Sequence, residues 1–295
     1  MADSALTVGV VGLGLMGGAM SRRLVETGFD VVGFDVVAEK VQATAVNGVR
    51  PAASAAELAR DADVIVVSVT GMPALEAALF ADDGVVAGAR AGQVLIDTST
   101  SDGETTKTWA AQLKDQNGVD WVDAPVSGGP PAAAAGTLAI MAGGEAAVID
   151  RVASVLTALG KATHMGPVGA GQATKMVNQV LVLTNYAVLA EAVKLAENSG
   201  IDAEKIPEAL ADGHAGSNML RHFFPKMLAR EYEPPAGFAA QLLKDLDMVH
   251  DAARATQTPT PMSDTARTLY RLLCARGHGK EDGITLLKLY DGGPD

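Results

Sequence analysis

For its first half the chain alternates short, wholly apolar runs with longer stretches of helical periodicity; then the apolar runs stop. Residues 6–11 (LTVGVV), 31–34 (VVGF), 64–68 (VIVVS) and 94–96 (VLI) are such runs, and another opens at Val119. Unalternating apolar runs of this length fit central parallel strands, because helices cover both faces of their sheet. Helix signals fill the gaps. A helical pattern starts behind Gly17, and residues 40–47 form a second that stops at Asn47-Gly48. Ser54-Ala55-Ala56-Glu57 is a capping box, and Pro73 suits the first turn of the next helix. Residues 102–116 read as helix up to Asn117-Gly118. This alternation predicts an α/β fold with a doubly wound parallel sheet.

The stretch 123–144 (DAPVSGGPPAAAAGTLAIMAGG) breaks the alternation. It reads as a loop returning through Gly136-Thr137 into residues 138–142, with a helix over 145–159 after Gly143-Gly144. From about Pro167 strand signals vanish and helical patterns run nearly to the end. The expected domains are therefore residues 1–167, built on the sheet, and 168–295, all helical. The long helix behind Gly169-Ala170-Gly171 is apolar nearly all round, which predicts burial between domains or subunits. The tail from Asp291 is expected to fray.

The first strand leads straight into Gly12-Leu13-Gly14-Leu15-Met16-Gly17, and the second ends on Asp35, eighteen positions beyond Gly17. Strand, tight turn, helix, strand and acid in this order form a dinucleotide fingerprint. Gly12 allows the turn, Gly14 admits the pyrophosphate and Gly17 lets the helix pack on the strand. The first N–H groups of that helix then hold the phosphates. Asp35 would accept hydrogen bonds from the adenosine ribose. It would also repel a 2′-phosphate, and no Arg or Lys follows before Lys40, so NAD is expected over NADP. The hydroxyls of Thr70, Ser99 and Thr100, beyond later strand ends, suit either cofactor contacts or turn capping.

Composition narrows the field. The 295 residues are 48% hydrophobic but only 4% aromatic, so Ala, Val, Leu and Met must build the core. Net charge is −12, with no basic stripe for nucleic acid or an anionic membrane. The single Cys274 excludes an internal disulfide and fits a reducing compartment. No basic, apolar leader opens the chain. The most apolar long stretch, 176–196, carries Asn178, Gln179, Asn185, Glu191 and Lys194, which argues against a membrane span. A cytoplasmic protein is expected.

Two lysines stand out in the second half. Lys175 and Asn178 are three residues apart and share a helix face. A lysine desolvated at a buried junction can exchange protons near neutrality; spacing alone favours a snorkelling lysine at a helix start with a solvated amide. Lys244-Asp245 lies on a helix with an apolar stripe, either reaching a ligand or forming a surface ion pair. Ser127-Gly128-Gly129 offers bare backbone N–H groups, either a carboxylate nest or a flexible loop. The five histidines show no metal-ligand spacing, so no metal site is expected.

Four motifs in order carry a resemblance over most of the chain: GLGLMGGAM at 12–20, DAPVSGG with GTLAIM within 123–144, GAGQATKMVNQ at 169–179, and Lys244-Asp245-Leu246. Together they resemble the β-hydroxyacid dehydrogenase family. That family includes 3-hydroxyisobutyrate dehydrogenase, tartronate semialdehyde (2-hydroxy-3-oxopropionate) reductase and more distant 6-phosphogluconate dehydrogenases. The resemblance implies a Rossmann domain, an all-helical C-terminal domain, a homodimer or homotetramer, and NAD-linked oxidation of a small 3-hydroxy acid or reduction of its semialdehyde. It implies Lys175 as the proton-transfer lysine, and Ser127, Gly128, Gly129 and Asn178 as substrate contacts. Val69, Thr70, Thr100 and Lys244 join residues 12–17 and Asp35 on the cofactor side. Pro130-Pro131 stands where the family usually has a glycine, which suggests a stiffer substrate loop. Ala215-Gly216-Ser217 with Leu220 is closer to the tartronate semialdehyde reductases, and Arg221 and His222 are candidates for a second polar group of the substrate. Two other readings are weighed. An NADP-linked glyoxylate or succinic semialdehyde reductase is opposed by Asp35. A non-catalytic cofactor-binding regulator is opposed by an intact Lys175 and Asn178.

Overall fold

The computed structural model describes residues 6–291. The chain divides into two compact units, Met1–Lys175 and Met176–Asp295. The first unit opens with β1 (Thr7–Val11), α1 (Leu15–Glu26), β2 (Asp30–Phe34), α2 (Ala38–Ala45), β3 (Arg50–Pro51), α3 (Ala55–Asp61) and β4 (Val64–Val67). Next come α4 (Met72–Phe80), α5 (Val85–Gly88), β5 (Val94–Asp97), α6 (Gly103–Asn117), β6 (Asp120–Asp123) and β7 (Val126–Ser127). It closes with α7 (Gly129–Ala135), β8 (Leu138–Gly143), α8 (Ala146–Arg151), α9 (Ala153–Leu159), β9 (Gly160–Gly166) and the start of α10 (Ala170–Asn198).

The apolar runs form the middle of one sheet, in the order β3-β2-β1-β4-β5-β6-β8-β7 with β9 beside β8. Side chains alternate between its faces. Val8, Val10, Val64, Val66, Val94 and Ile96 therefore join Met20, Leu24 and Leu138 in one apolar cluster. Val11, Ile65, Val67 and Leu95 join Leu58, Leu79 and Trp121 in another. Each such side chain, fully buried, contributes about 1.5–3 kcal/mol.

The sheet is parallel from β3 to β6, and then β8 runs antiparallel to both β6 and β7. Residues 124–137, which carry β7 and α7, separate β6 from β8. Residues 129–135, expected as loop, are helical: Pro130-Pro131 fits a first turn, the alanines propagate it, and Gly136 ends it at φ +68°. The helix expected over 145–159 is two, meeting at Val152, and β9 is an edge strand that the polar sequence GKATHMG did not announce.

The second unit contains the rest of α10 with α11 (Ile206–Ala209), α12 (Asn218–Leu228), α13 (Ala239–Ala255) and α14 (Pro261–Ala275). Among its described residues there is no strand, as the loss of apolar runs predicted. Leu189, Val193, Leu220 and Phe224 form one cluster; Leu183, Leu246, Tyr270 and Leu286 form another. By length and composition α10 could cross a membrane, but Leu183, Ala190 and Val193 on it are fully buried within the unit.

Candidate active site

At the end of β1, Gly12 turns the chain at φ +90°. A Cβ on Gly17 would collide with the Gly12 carbonyl, so α1 can start this close to the strand only from glycine. Gly14 differs: a Cβ there would meet nothing within 4 Å, leaving open space in front of the turn. Gly14 is also the N-cap of α1 and supplies no side-chain hydrogen bond. The first N–H groups, on Leu15, Met16 and Gly17, thus lack a side-chain cap and carry the positive end of a twelve-residue helix. Open space before an uncapped helix start fits a pyrophosphate.

Asp35 is placed beside this turn. Its Oδ2 accepts from the Leu13 N–H at 2.8 Å and its Oδ1 from the Val37 N–H at 2.9 Å. Lys40 Nζ lies 3.3 Å from the same carboxylate, so the nearest cation in sequence is paired with the acid. β4 and β5 lie in turn beside β1. Val69 and Thr70 follow the former and Thr100 the latter, which brings these candidates to the sheet edge that carries the glycine turn. Val69 N–H donates to Ser99 Oγ at 3.1 Å, tying the two loops together.

Lys175 is buried, at 8% exposure, and its Nζ donates to the Val126 carbonyl at 2.8 Å. Val126 immediately precedes Ser127-Gly128-Gly129, so the predicted lysine and the predicted carboxylate loop are neighbours. Gly128 and Gly129 have φ +130° and +70°, a backbone that favours glycine at both positions and opens α7. Underneath is a group of residues that motif reading passed over. Asp123 accepts from the Gly169 and Gln172 N–H groups, each at 2.8 Å. Gln172 spans from the Ser99 carbonyl to the Ser101 N–H, and Ser101 Oγ donates to Asp97. Burial pushes the carboxyls of Asp97 and Asp123 up to about 6 each, against the hydrogen bonds they accept. The only sequence signal for them was an acid ending each buried strand.

The remaining candidates lie in the second unit. Asn178 Nδ2 donates to Gln179 Oε1 at 2.8 Å, Gln179 Nε2 donates to Asp245, and Lys244 Nζ lies 2.9 Å from Asp245 Oδ1. One buried acid and one buried amide thus join the two predicted residues. Ser217 caps α12 by accepting from the Leu220 N–H at 3.0 Å, while Arg221 and His222 are exposed. Among the described residues no group of His, Cys, Asp and Glu is placed to hold a metal ion.

A glycine turn with room for phosphates, an uncapped helix behind it and an acid at the next strand end define a dinucleotide-binding protein. Similarity to known proteins makes this specific. The family model for the NAD binding domain of 6-phosphogluconate dehydrogenase matches residues 7–169. The model for the NAD-binding region of NADP-dependent 3-hydroxyisobutyrate dehydrogenase matches residues 169–290. The chain belongs to the β-hydroxyacid dehydrogenase family. A probable 3-hydroxyisobutyrate dehydrogenase-like protein of Arabidopsis thaliana is 34% identical over 94% of this chain and 85% of its own length. The 2-hydroxy-3-oxopropionate reductase of Escherichia coli is 32% identical over 96% of each. A solved 3-hydroxyisobutyrate dehydrogenase from Mycobacterium tuberculosis, with L-serine, superposes with a TM-score of 0.85 at 30% identity, covering 98% of this chain and all of that one. The protein is an oxidoreductase of the nicotinamide dinucleotide class.

Proposed function

We propose that the protein interconverts a small 3-hydroxy acid and its semialdehyde, with NAD preferred over NADP and Lys175 carrying the proton. The observation that carries this is Lys175 itself: a buried lysine whose Nζ donates to the carbonyl next to the Ser127–Gly129 turn. The molecules in the relatives' names, 3-hydroxyisobutyrate, 2-hydroxy-3-oxopropionate and L-serine, share a carboxylate and an oxygen on the third carbon. Bound NAD supplies the hydride acceptor. The N–H groups of Gly128 and Gly129 and the Ser127 hydroxyl hold the substrate carboxylate. In oxidation the neutral Lys175 amine takes the hydroxyl proton and becomes the ammonium; in reduction that ammonium gives the proton back to the carbonyl oxygen. Asn178, one turn further along α10, orients the substrate. On the cofactor side the first turn of α1 takes the pyrophosphate, Asp35 the adenosine ribose, and Val69, Thr70, Thr100 and Lys244 further contacts. In reading Asp35 as NAD-selective, its carboxylate remains an obstacle to a 2′-phosphate even with Lys40 beside it.

The reading extends to self-association as a homodimer or homotetramer. Val177, Leu181, Val188 and Leu195 are 50–69% exposed on α10 and recur at spacings of four and seven. That places a long apolar stripe on one helix face, the pattern of a helix that packs on another. The function is tested by initial rates with NAD and NADP across 3-hydroxyisobutyrate, glycerate, serine and threonate, and by tartronate semialdehyde reduction. Turnover of a 3-hydroxy acid or its semialdehyde, lost about 10²- to 10⁴-fold in Lys175→Ala, is expected. Undiminished turnover in that variant contradicts the role of Lys175.

A further inference from the structure

The start of α10 is held by an acid from far away in the sequence. Asp123 ends β6, and its Oδ1 accepts from the N–H of Gly169, forty-six positions on. Its Oδ2 accepts from the N–H of Gln172 at 2.8 Å. Gly169 is the residue before the helix and Gln172 the third within it. A helix with a serine or aspartate before it would satisfy such groups locally; Gly169 has no side chain for this. Gly171 lets the approach happen, since a Cβ there would collide with the Asp123 and Met141 carbonyls. Gln172 adds a second tether. Its Nε2 donates to the Ser99 carbonyl at 2.9 Å and its Oε1 accepts from the Ser101 N–H at 3.0 Å. Lys175 follows on the same turn and donates to Val126, three residues after Asp123. One short segment therefore anchors both, the helix start through the Asp123 side chain and the head of the lysine through the Val126 carbonyl.

We propose that Asp123 is a positioning residue for the reaction: its two carboxylate oxygens, with Gln172 beside them, fix the first turn of α10 and thereby the place of Lys175 Nζ. This rests on the reading of Lys175 as the proton carrier. The arrangement needs a carboxylate, because both oxygens accept. An asparagine turns an N–H₂ toward the Gln172 or Gly169 N–H, and a protonated acid has one oxygen that must donate. Burial opposes the charge and pushes the Asp123 carboxyl up to about 6. The charged groups around it are Asp97 on β5, whose own carboxyl Asp123 raises, Lys175 on α10, and on α6 Lys107, which flanks Gly169 and pairs with Glu104. Asp123 is thus ionised at neutral pH and neutral in mild acid. Displacing a reacting group by about 1 Å can cost about 10²-fold in rate.

The test compares wild type, Asp123→Asn, Gln172→Ala and Lys175→Ala by kcat, by the Kd for NAD, and by amide hydrogen exchange over residues 169–175. Asp123→Asn is expected to lower kcat about 10- to 100-fold with unchanged NAD binding. Exchange should quicken over 169–175 and nowhere else, and Gln172→Ala should show the same pattern more weakly. Opening this turn takes the two N–H donors from Asp123 while the carboxyl stays buried among β5 and β6, so the opened turn holds a proton more tightly than the closed one. In wild type, exchange there, corrected for its intrinsic pH dependence, should therefore quicken between pH 7 and 5 even as global stability rises, and in Asp123→Asn it should not change. A folded Asp123→Asn with wild-type kcat, or with an equally protected helix start, overturns the proposal. If that variant does not fold, the wild-type exchange decides alone, and a pH-independent helix start overturns the proposal. The two readings fail separately. An active Lys175→Ala with 169–175 still protected removes the lysine's role, and with it any action of Asp123 through that lysine. An inactive Lys175→Ala beside a fully active Asp123→Asn removes only the positioning role.

Discussion

The glycines of the first turn have three different jobs, and substitution separates them. Gly17→Ala puts a methyl into the Gly12 carbonyl, so it should lower the melting temperature by several degrees or more. Gly14→Ala has free space and an ordinary φ of −69°, so the fold should keep its melting temperature. Its methyl stands where a pyrophosphate would lie, and NAD affinity should fall about tenfold or more. Titration of both variants with NAD, beside thermal unfolding, checks this; a Gly14→Ala protein that binds NAD normally removes the phosphate site from this turn. Such glycines were legible in the sequence because each requirement is local. Asp123, Asp97 and Gln172 were not. Their partners lie up to seventy-three positions away, and only the fold brings them together.

At the scale of elements, the strands that sequence reading found are those buried on both faces, such as VIVV of β4. Those it missed lack that signal: β9 is half exposed at the sheet edge, and seven-residue α7 is too short to show a period. The second motif, DAPVSGG, was recognised as a unit, yet its first residue proves to serve α10 and its last begins a helix. α10 itself is two-sided. Gln172, Lys175 and Gln179 are buried, while Val177, Leu181, Val188 and Leu195 face outward. On the proposed self-association, Leu181→Lys together with Val188→Lys should leave helix content unchanged and shift sedimentation toward the monomer. An unchanged sedimentation coefficient for the doubly substituted protein would remove this stripe as the seam between copies.

Across the whole molecule, two kinds of carboxylate set the pH dependence of stability in opposite directions. Asp97 and Asp123 are pushed up to about 6, above their unfolded value, mainly by burial. The folded state thus binds protons more tightly than the unfolded chain between about pH 4 and 6, and stability rises as pH falls through that window. A shift of this size is worth about 3 kcal/mol per group at most, and less for two acids that interact. Asp30 and Glu197 are held below their usual range by hydrogen bonds from Arg50 and Arg230. Their contribution is present at neutral pH and lost only in stronger acid. The melting temperature should therefore climb from pH 7 to about 5 and fall below about 4, and Asp97→Asn should flatten the climb. A steady fall from pH 7 downward would contradict this. On its proposed role, Asp123 costs stability at the pH where it positions the lysine.

The most direct test of the account is the rate of NAD reduction by wild type and Lys175→Ala, with each candidate 3-hydroxy acid at saturating cofactor and with NAD binding measured on the same samples. The account predicts turnover of at least one acid by wild type and a loss of about 10²-fold or more in the variant, with NAD still bound. A variant that binds NAD and turns over as fast as wild type would contradict it.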